Sequence, residues 1–81
     1  MIVRSLFFAQ YRDFAGAGEL SVELPEAATV ADLVERLRGD GNGLSRLPAR
    51  PVVAVNMDYA PLATALRDGD EVAFIPPVAG G

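Results

Sequence analysis

The sequence predicts an α+β domain, one helix laid across a mixed sheet of four or five strands, and three observations predict it. Leu20, Val22 and Leu24 alternate with Glu19, Ser21 and Glu23, the two-residue period of a strand with one face covered. Val30, Leu33, Val34 and Leu37 recur at i, i+3, i+4 and i+7, the stripe of an amphipathic helix. Short apolar runs stand on either side of this pair, bounded by Gly, Pro and Asp. With 81 residues, 51% of them hydrophobic, the chain has material for one core and reads as a single domain, 1–81.

The first run, Ile2 to Ala9, places Leu6, Phe7, Phe8 and Ala9 in succession, so both faces of this strand are apolar, as in a strand buried on both sides. The stretch YRDFAGAGE then breaks the pattern, with Gly16 and Gly18 available for turn conformations. Glu19 to Leu24 completes a hairpin and Pro25 stops it. Thr29 is a good N-cap for the helix over 30–38, and Asp32 at the third helical position makes an acidic variant of the capping box. Asp32 and Glu35 come early and Arg36 and Arg38 late, as the helix dipole prefers. Gly39 is the expected stop, and GDGNGLSRLPARP a loop with one helical turn near Leu44 to Leu47. Val52 to Met57 reads as a third strand, MDYAPLATALRDGD as a connection, Asp68-Gly69 as a tight turn and Glu71 to Ile75 as the last strand. The first and last strands, apolar on both faces, are expected side by side at the centre, with Glu19–Leu24 outside them.

Composition narrows the chemistry. With no cysteine and no histidine, the chain has no thiol nucleophile, no disulfide and no Ser-His or Cys-His pair. The apolar runs are too short to span a bilayer and no signal-peptide pattern opens the chain, so a cytoplasmic protein is expected. A net charge of −4 with arginines scattered along the chain argues against nucleic acid. All seven basic residues are arginine, which codon bias explains; the N-terminus is then the only amine, and isopeptide branching on this chain is excluded. Asp68, Asp70 and Glu71 sit in a turn, where solvated acids are usual, and Gly39, Gly41 and Gly43 lack the Lys-Ser/Thr of a phosphate loop. No internal active site is indicated.

The chain finishes on Pro76-Pro77-Val78-Ala79-Gly80-Gly81. Proline cannot donate to a sheet ladder, and a proline pair favours the stiff polyproline II form. At about 3.3 Å per extended residue the tail reaches roughly 20 Å beyond the sheet. Its last residues are small or have no side chain, so it can enter a narrow channel and carry its α-carboxylate into another protein.

These residues resemble a known family. SLFFAQYRDFAG near the start, TVADLVERL in the helix, VAVN in the third strand and LRDGDEVAFIPPVAGG at the end are similar to the small, sulfur-carrier subunits of molybdopterin synthase, ubiquitin-like proteins with the β-grasp fold. The resemblance covers the whole chain. It implies that an adenylating enzyme related to ubiquitin-activating enzymes uses ATP to convert the Gly81 carboxylate to an acyl adenylate. A sulfur donor protein then displaces AMP and leaves a thiocarboxylate. The tail delivers that sulfur to cyclic pyranopterin monophosphate in the large synthase subunit, two carrier turns making one dithiolene. In the family a dimer of large subunits holds a small subunit at each end. The carrier binds no cofactor or metal and catalyses nothing alone.

The resemblance gives Gly81 the adenylate and then the sulfur, and Gly80 the clearance for its approach. Pro76, Pro77, Val78 and Ala79 guide the tail. A channel admitting only a tail offers little contact, so an apolar patch beside the tail exit is expected to complete the docking surface. Phe8 and Ile75 are candidates for it, with core packing as the alternative. Tyr59, in the 58–62 connection, is an amphipathic anchor, and Arg12, in the loop leaving the first strand, a charged rim contact. Three other readings stay open: a thiamine-pathway sulfur carrier, a ubiquitin-like modifier that attaches Gly81 to lysines of other proteins, and an interaction module with an inert tail.

Overall fold

The computed structural model describes residues 1–40 and 43–77. Five strands form one mixed sheet, β1 (Ile2–Phe7), β2 (Glu19–Glu23), β3 (Val52–Val55), β4 (Asp58–Ala60) and β5 (Glu71–Ile75), with the order β2-β1-β5-β3-β4. β5 is the middle strand and pairs parallel with β1, while the other neighbours run antiparallel. The first and last strands are therefore adjacent and interior, as the apolar runs predict.

Helix α2 (Val30–Arg38) covers one face. Its capping box is complete: Asp32 N–H donates to Thr29 Oγ1 at 3.3 Å, and Thr29 N–H donates to Asp32 Oδ2 at 2.8 Å. The connection after β4 supplies the remaining caps, with Val30 N–H donating to the Thr64 carbonyl at 3.0 Å and Ala31 N–H to that of Leu62 at 2.9 Å. The helix N-terminus is thus satisfied by the chain itself. Val30, Leu33, Val34 and Leu37 join Val3, Phe7, Val53, Val72 and Phe74 in one core, where the Phe7 and Phe74 rings stack with centroids 5.3 Å apart.

Three expectations are corrected. The segment read as a glycine turn contains a second helix, α1 (Ala9–Ala15), which begins directly after β1 and ends at Gly16 with φ 74°. Its N-cap, Phe8, has no side chain able to cap, and the chain enters it through Ala9 at φ 49°. Gly18 is not in the left-handed region. The third strand stops at Val55, because Asn56 (φ 49°) and Met57 (φ 75°) form the two-residue turn of a hairpin into β4. Last, β1 is not buried on both sides: Val3, Ser5 and Phe7 face the core, whereas Ile2 and Arg4 are exposed and Leu6 is half-buried. Centrality in this sheet comes from pairing, with a single face covered.

The acids around the tight turn are not idle solvated groups. Ile2 N–H donates to Asp68 Oδ1 at 2.7 Å, and Arg67 N–H to Asp70 Oδ2 at 2.8 Å. Asn56 Nδ2 donates to Asp70 Oδ1 at 3.0 Å, and Glu71 N–H to Asn56 Oδ1 at 3.1 Å. These bonds tie the start of β1, the β3–β4 turn and the start of β5 into one corner. They set the register that decides where β5 ends.

A candidate docking face at the root of the tail

The uncovered face of the sheet can be read from register. Leu6 stands opposite Ala73, Ala73 opposite Ala54, and Ala54 opposite Tyr59, a row crossing β1, β5, β3 and β4. The next row toward the tail places Ile75 opposite Val52. Phe8 continues the alternation of β1 in extended conformation (φ −124°, ψ 154°), which sends its ring to the side of Leu6. Phe8, Val52 and Tyr59 are among the most exposed large apolar residues, at 48%, 55% and 76%. Ile75 is half-buried. Of the two readings of Phe8 and Ile75, the open face is the one observed.

The same face becomes polar away from the tail. Arg4 Nη2 bonds Glu71 Oε2 at 3.0 Å, and Arg4 Nη1 lies 3.7 Å from Glu19 Oε1. Exposed pairs of this kind contribute little stability. Their effect is to separate the apolar patch at the end where Pro76 and Pro77 leave β5 from the exposed Ile2 at the other end of β1.

Tyr59 lies on β4 and not in a loop. Arg12 lies on α1 and not in a loop: it is exposed, its guanidinium alongside Gly18, with no described bond to the Phe8–Tyr59 face. Pro76 is half-buried and Pro77 exposed. Val78, Ala79, Gly80 and Gly81 lie outside the described residues, as does Gly41 in the glycine-rich loop. Sequence reasoning missed Val52. Its signal was the alternation Val52-Ala54 on one side and Val53-Val55 on the other, unreadable until a neighbour fixed which side was open. Among the described residues no group of acids could hold a metal ion, and no helix is long and apolar enough to cross a membrane.

A five-stranded mixed sheet of order β2-β1-β5-β3-β4 crossed by one helix is the β-grasp arrangement. The ThiS family model matches residues 5–81. The chain belongs to the ThiS family. It is 40% identical over 78 residues to the molybdopterin synthase sulfur carrier subunit of Haemophilus influenzae, covering 94% of this chain and 95% of that one. It is 36% identical to small archaeal modifier protein 3 of Haloferax volcanii, over 93% of this chain and 94% of the other. Among solved structures it superposes on a chain of the complex of subunits 1 and 2 of molybdopterin-converting factor from Helicobacter pylori, with TM-score 0.72, 27% identity and full coverage of both chains. The ubiquitin-like β-grasp fold is thereby shared with sulfur carriers and modifiers alike.

Proposed function

We propose that this ThiS-family chain is a sulfur carrier for molybdopterin synthesis and that its chemistry resides on the Gly81 carboxylate. The observation that carries the reading is the place where β5 hands over to the tail. Its stiff Pro76-Pro77 root leaves the middle strand beside Phe8, Val52 and Ile75, so one partner can grip the face while the tail enters it. The 40% identity to a carrier subunit of molybdopterin synthase supports the pathway. The likeness to a chain of a subunit 1 and 2 complex supports a large-subunit partner; a heterotetramer of the two is part of the proposal.

A carboxylate is a poor acylating agent, so activation comes first. A Gly81 carboxylate oxygen attacks the α-phosphorus of ATP on a separate adenylyltransferase, and pyrophosphate leaves. Hydrosulfide released by a donor protein then attacks the acyl carbon, AMP departs and the thioacid loses its proton, which leaves the thiocarboxylate. In the large subunit the thiocarboxylate sulfur bonds to cyclic pyranopterin monophosphate, and water then cleaves its bond to the acyl carbon, which returns Gly81 to a carboxylate. Gly80 and Gly81 present no Cβ, so the acyl carbon can approach both reaction centres closely.

Reconstitution tests this. The thiocarboxylated chain with a large synthase subunit should convert cyclic pyranopterin monophosphate to molybdopterin, and a chain lacking Gly81 should not. Conversion by the truncated chain would refute the role of the terminus. The similarity to an archaeal modifier supports a second reading, conjugation of Gly81 to lysines of other proteins. Isopeptide-linked Gly81 in cell extracts would identify that activity.

A further inference from the structure

An acyl group activated for transfer is open to any amine that reaches it, those of its own chain included. This chain offers few. It has no lysine, no cysteine and no histidine, and its seven arginines keep their guanidinium protons and do not act as acceptors. Without lysine or histidine there is also no side-chain base of near-neutral pKa to activate a serine, threonine or tyrosine hydroxyl. One amine remains, on Met1.

The fold holds that amine. The Met1 ammonium donates to the Leu24 carbonyl at 2.8 Å, and Leu24 N–H donates back to the Met1 carbonyl at 2.8 Å, so Met1 extends the β1–β2 ladder. The ammonium also lies 3.8 Å from Glu26 Oε1. Leu24 is buried and Met1 packs against the core, which keeps the pair in place. To attack an acyl carbon, the nitrogen has to leave the Leu24 carbonyl and lift Met1 from the sheet. Distance adds a second barrier. β1 and β5 are parallel, with Phe7 opposite Phe74, so Met1 lies at the end of the sheet opposite the tail root. From Met1 to Phe8, the residue level with Ile75, is about 23 Å of strand. The residues after Ile75 span roughly 20 Å fully extended, so Gly81 falls short of the amine of its own chain.

We propose that the activated Gly81 has no acceptor on any folded copy of this chain, whether by branching, head-to-tail joining or cyclisation. Its acyl carbon is discharged only by water or by a nucleophile of a different molecule. The proposal rests on the carrier reading only for the need to activate Gly81, and it means that the activated form is not consumed by neighbouring carriers before sulfur arrives. For the conjugation reading it restricts the product. An amine of another protein attacks the acyl carbon, the adenylate leaves as AMP, the nitrogen loses a proton, and the mark stays a single unit that no second copy extends.

The full chain prepared as its Gly81 thioester of mercaptoethanesulfonate tests this without any enzyme. The comparison is the free pentapeptide Met-Ile-Val-Arg-Ser, which carries the same amine outside the fold. The readout is intact-mass spectrometry at the peptide concentration that captures half of the thioester. Folded chain supplied in the same amount should give at least about tenfold less chain-to-chain amide, as for an amine that must first give up its hydrogen bonds. No product one water lighter than the free chain should form. Urea that unfolds the chain should raise chain-to-chain coupling to the level of the peptide. A short Gly-Ser extension before Met1, which places the amine outside the ladder, should do the same in a chain that circular dichroism shows to be folded. Coupling of the folded wild type at the rate of the peptide overturns the proposal, as does a folded, extended chain that stays as inert as the wild type. Neither outcome touches the carrier reading, which is decided by thiocarboxylate formation.

Discussion

Met57 occupies a position where glycine is the natural residue. It is 89% exposed, so its side chain packs little, yet its φ of 75° carries the left-handed penalty. Met57→Gly should stabilise the fold by about 1 kcal/mol, measured as an increased denaturant midpoint with unchanged slope. Ser5 gives a second test, because its hydroxyl is enclosed in the core and unpaired among the described residues. Ser5→Ala removes that buried polar atom, and a gain of roughly 1 kcal/mol is expected in the same measurement. Tyr11 makes a pH prediction. Burial favours its neutral form, so the folded chain holds the phenolic proton more tightly than the unfolded one. The stabilisation is present at neutral pH and is lost as pH rises beyond about 10, the unfolded-state value. Tyr11→Phe should lose less stability than wild type over that alkaline range.

At the scale of elements, the sequence was most legible where local and tertiary signals coincide. Helix α2 has a side-chain cap, a dipole-matched charge order and an apolar stripe, and it forms where those predict. Helix α1 has none of these entry signals. Its N-cap is Phe8, no acidic residue lies in its first turn, and the apolar run of β1 passes into it without a polar break. The β3–β4 hairpin was hidden for a related reason: its turn uses Asn56-Met57 where Asn-Gly would have announced it. Packing between α1 and the 3-10 turn at Gly43–Arg46 depends on a missing side chain. A Cβ on Gly43 would lie 2.3 Å from the Phe14 carbonyl oxygen, a backbone atom that cannot swing aside. Gly43→Ala should therefore cost about 2 kcal/mol through displacement of α1. Gly16→Ala meets no atom within 4 Å and should cost only the roughly 1 kcal/mol of its positive φ. Thermal melts of the two variants separate steric from conformational cost.

At the scale of the whole molecule, the candidate site was half legible. The chemistry proposed for it was drawn from the resemblance of the whole chain, and of the tail only Pro76 and Pro77 lie among the described residues. Its docking face was not legible, since Phe8 and Ile75 could equally have entered the core until the β1–β5–β3 register placed them opposite Val52 and beside Leu6. That placement makes Ile75→Lys informative. On a half-buried, open face the lysine can reach water, so the variant should fold with a melting temperature near wild type. It should weaken association with the large synthase subunit at least about tenfold, as loss of an interface anchor does. A variant that fails to fold would return Ile75 to the core.

The proposed carrier role depends on conversion of the Gly81 carboxylate to a thiocarboxylate. Intact-mass spectrometry after incubation with a cognate adenylating enzyme, ATP and a sulfur source measures it most directly. The expected result is a mass increase equal to exchanging one oxygen for sulfur, dependent on ATP, confined by fragmentation to Gly81 and absent from a chain ending at Gly80. An unchanged mass, or sulfur acquired by the truncated chain, would contradict it.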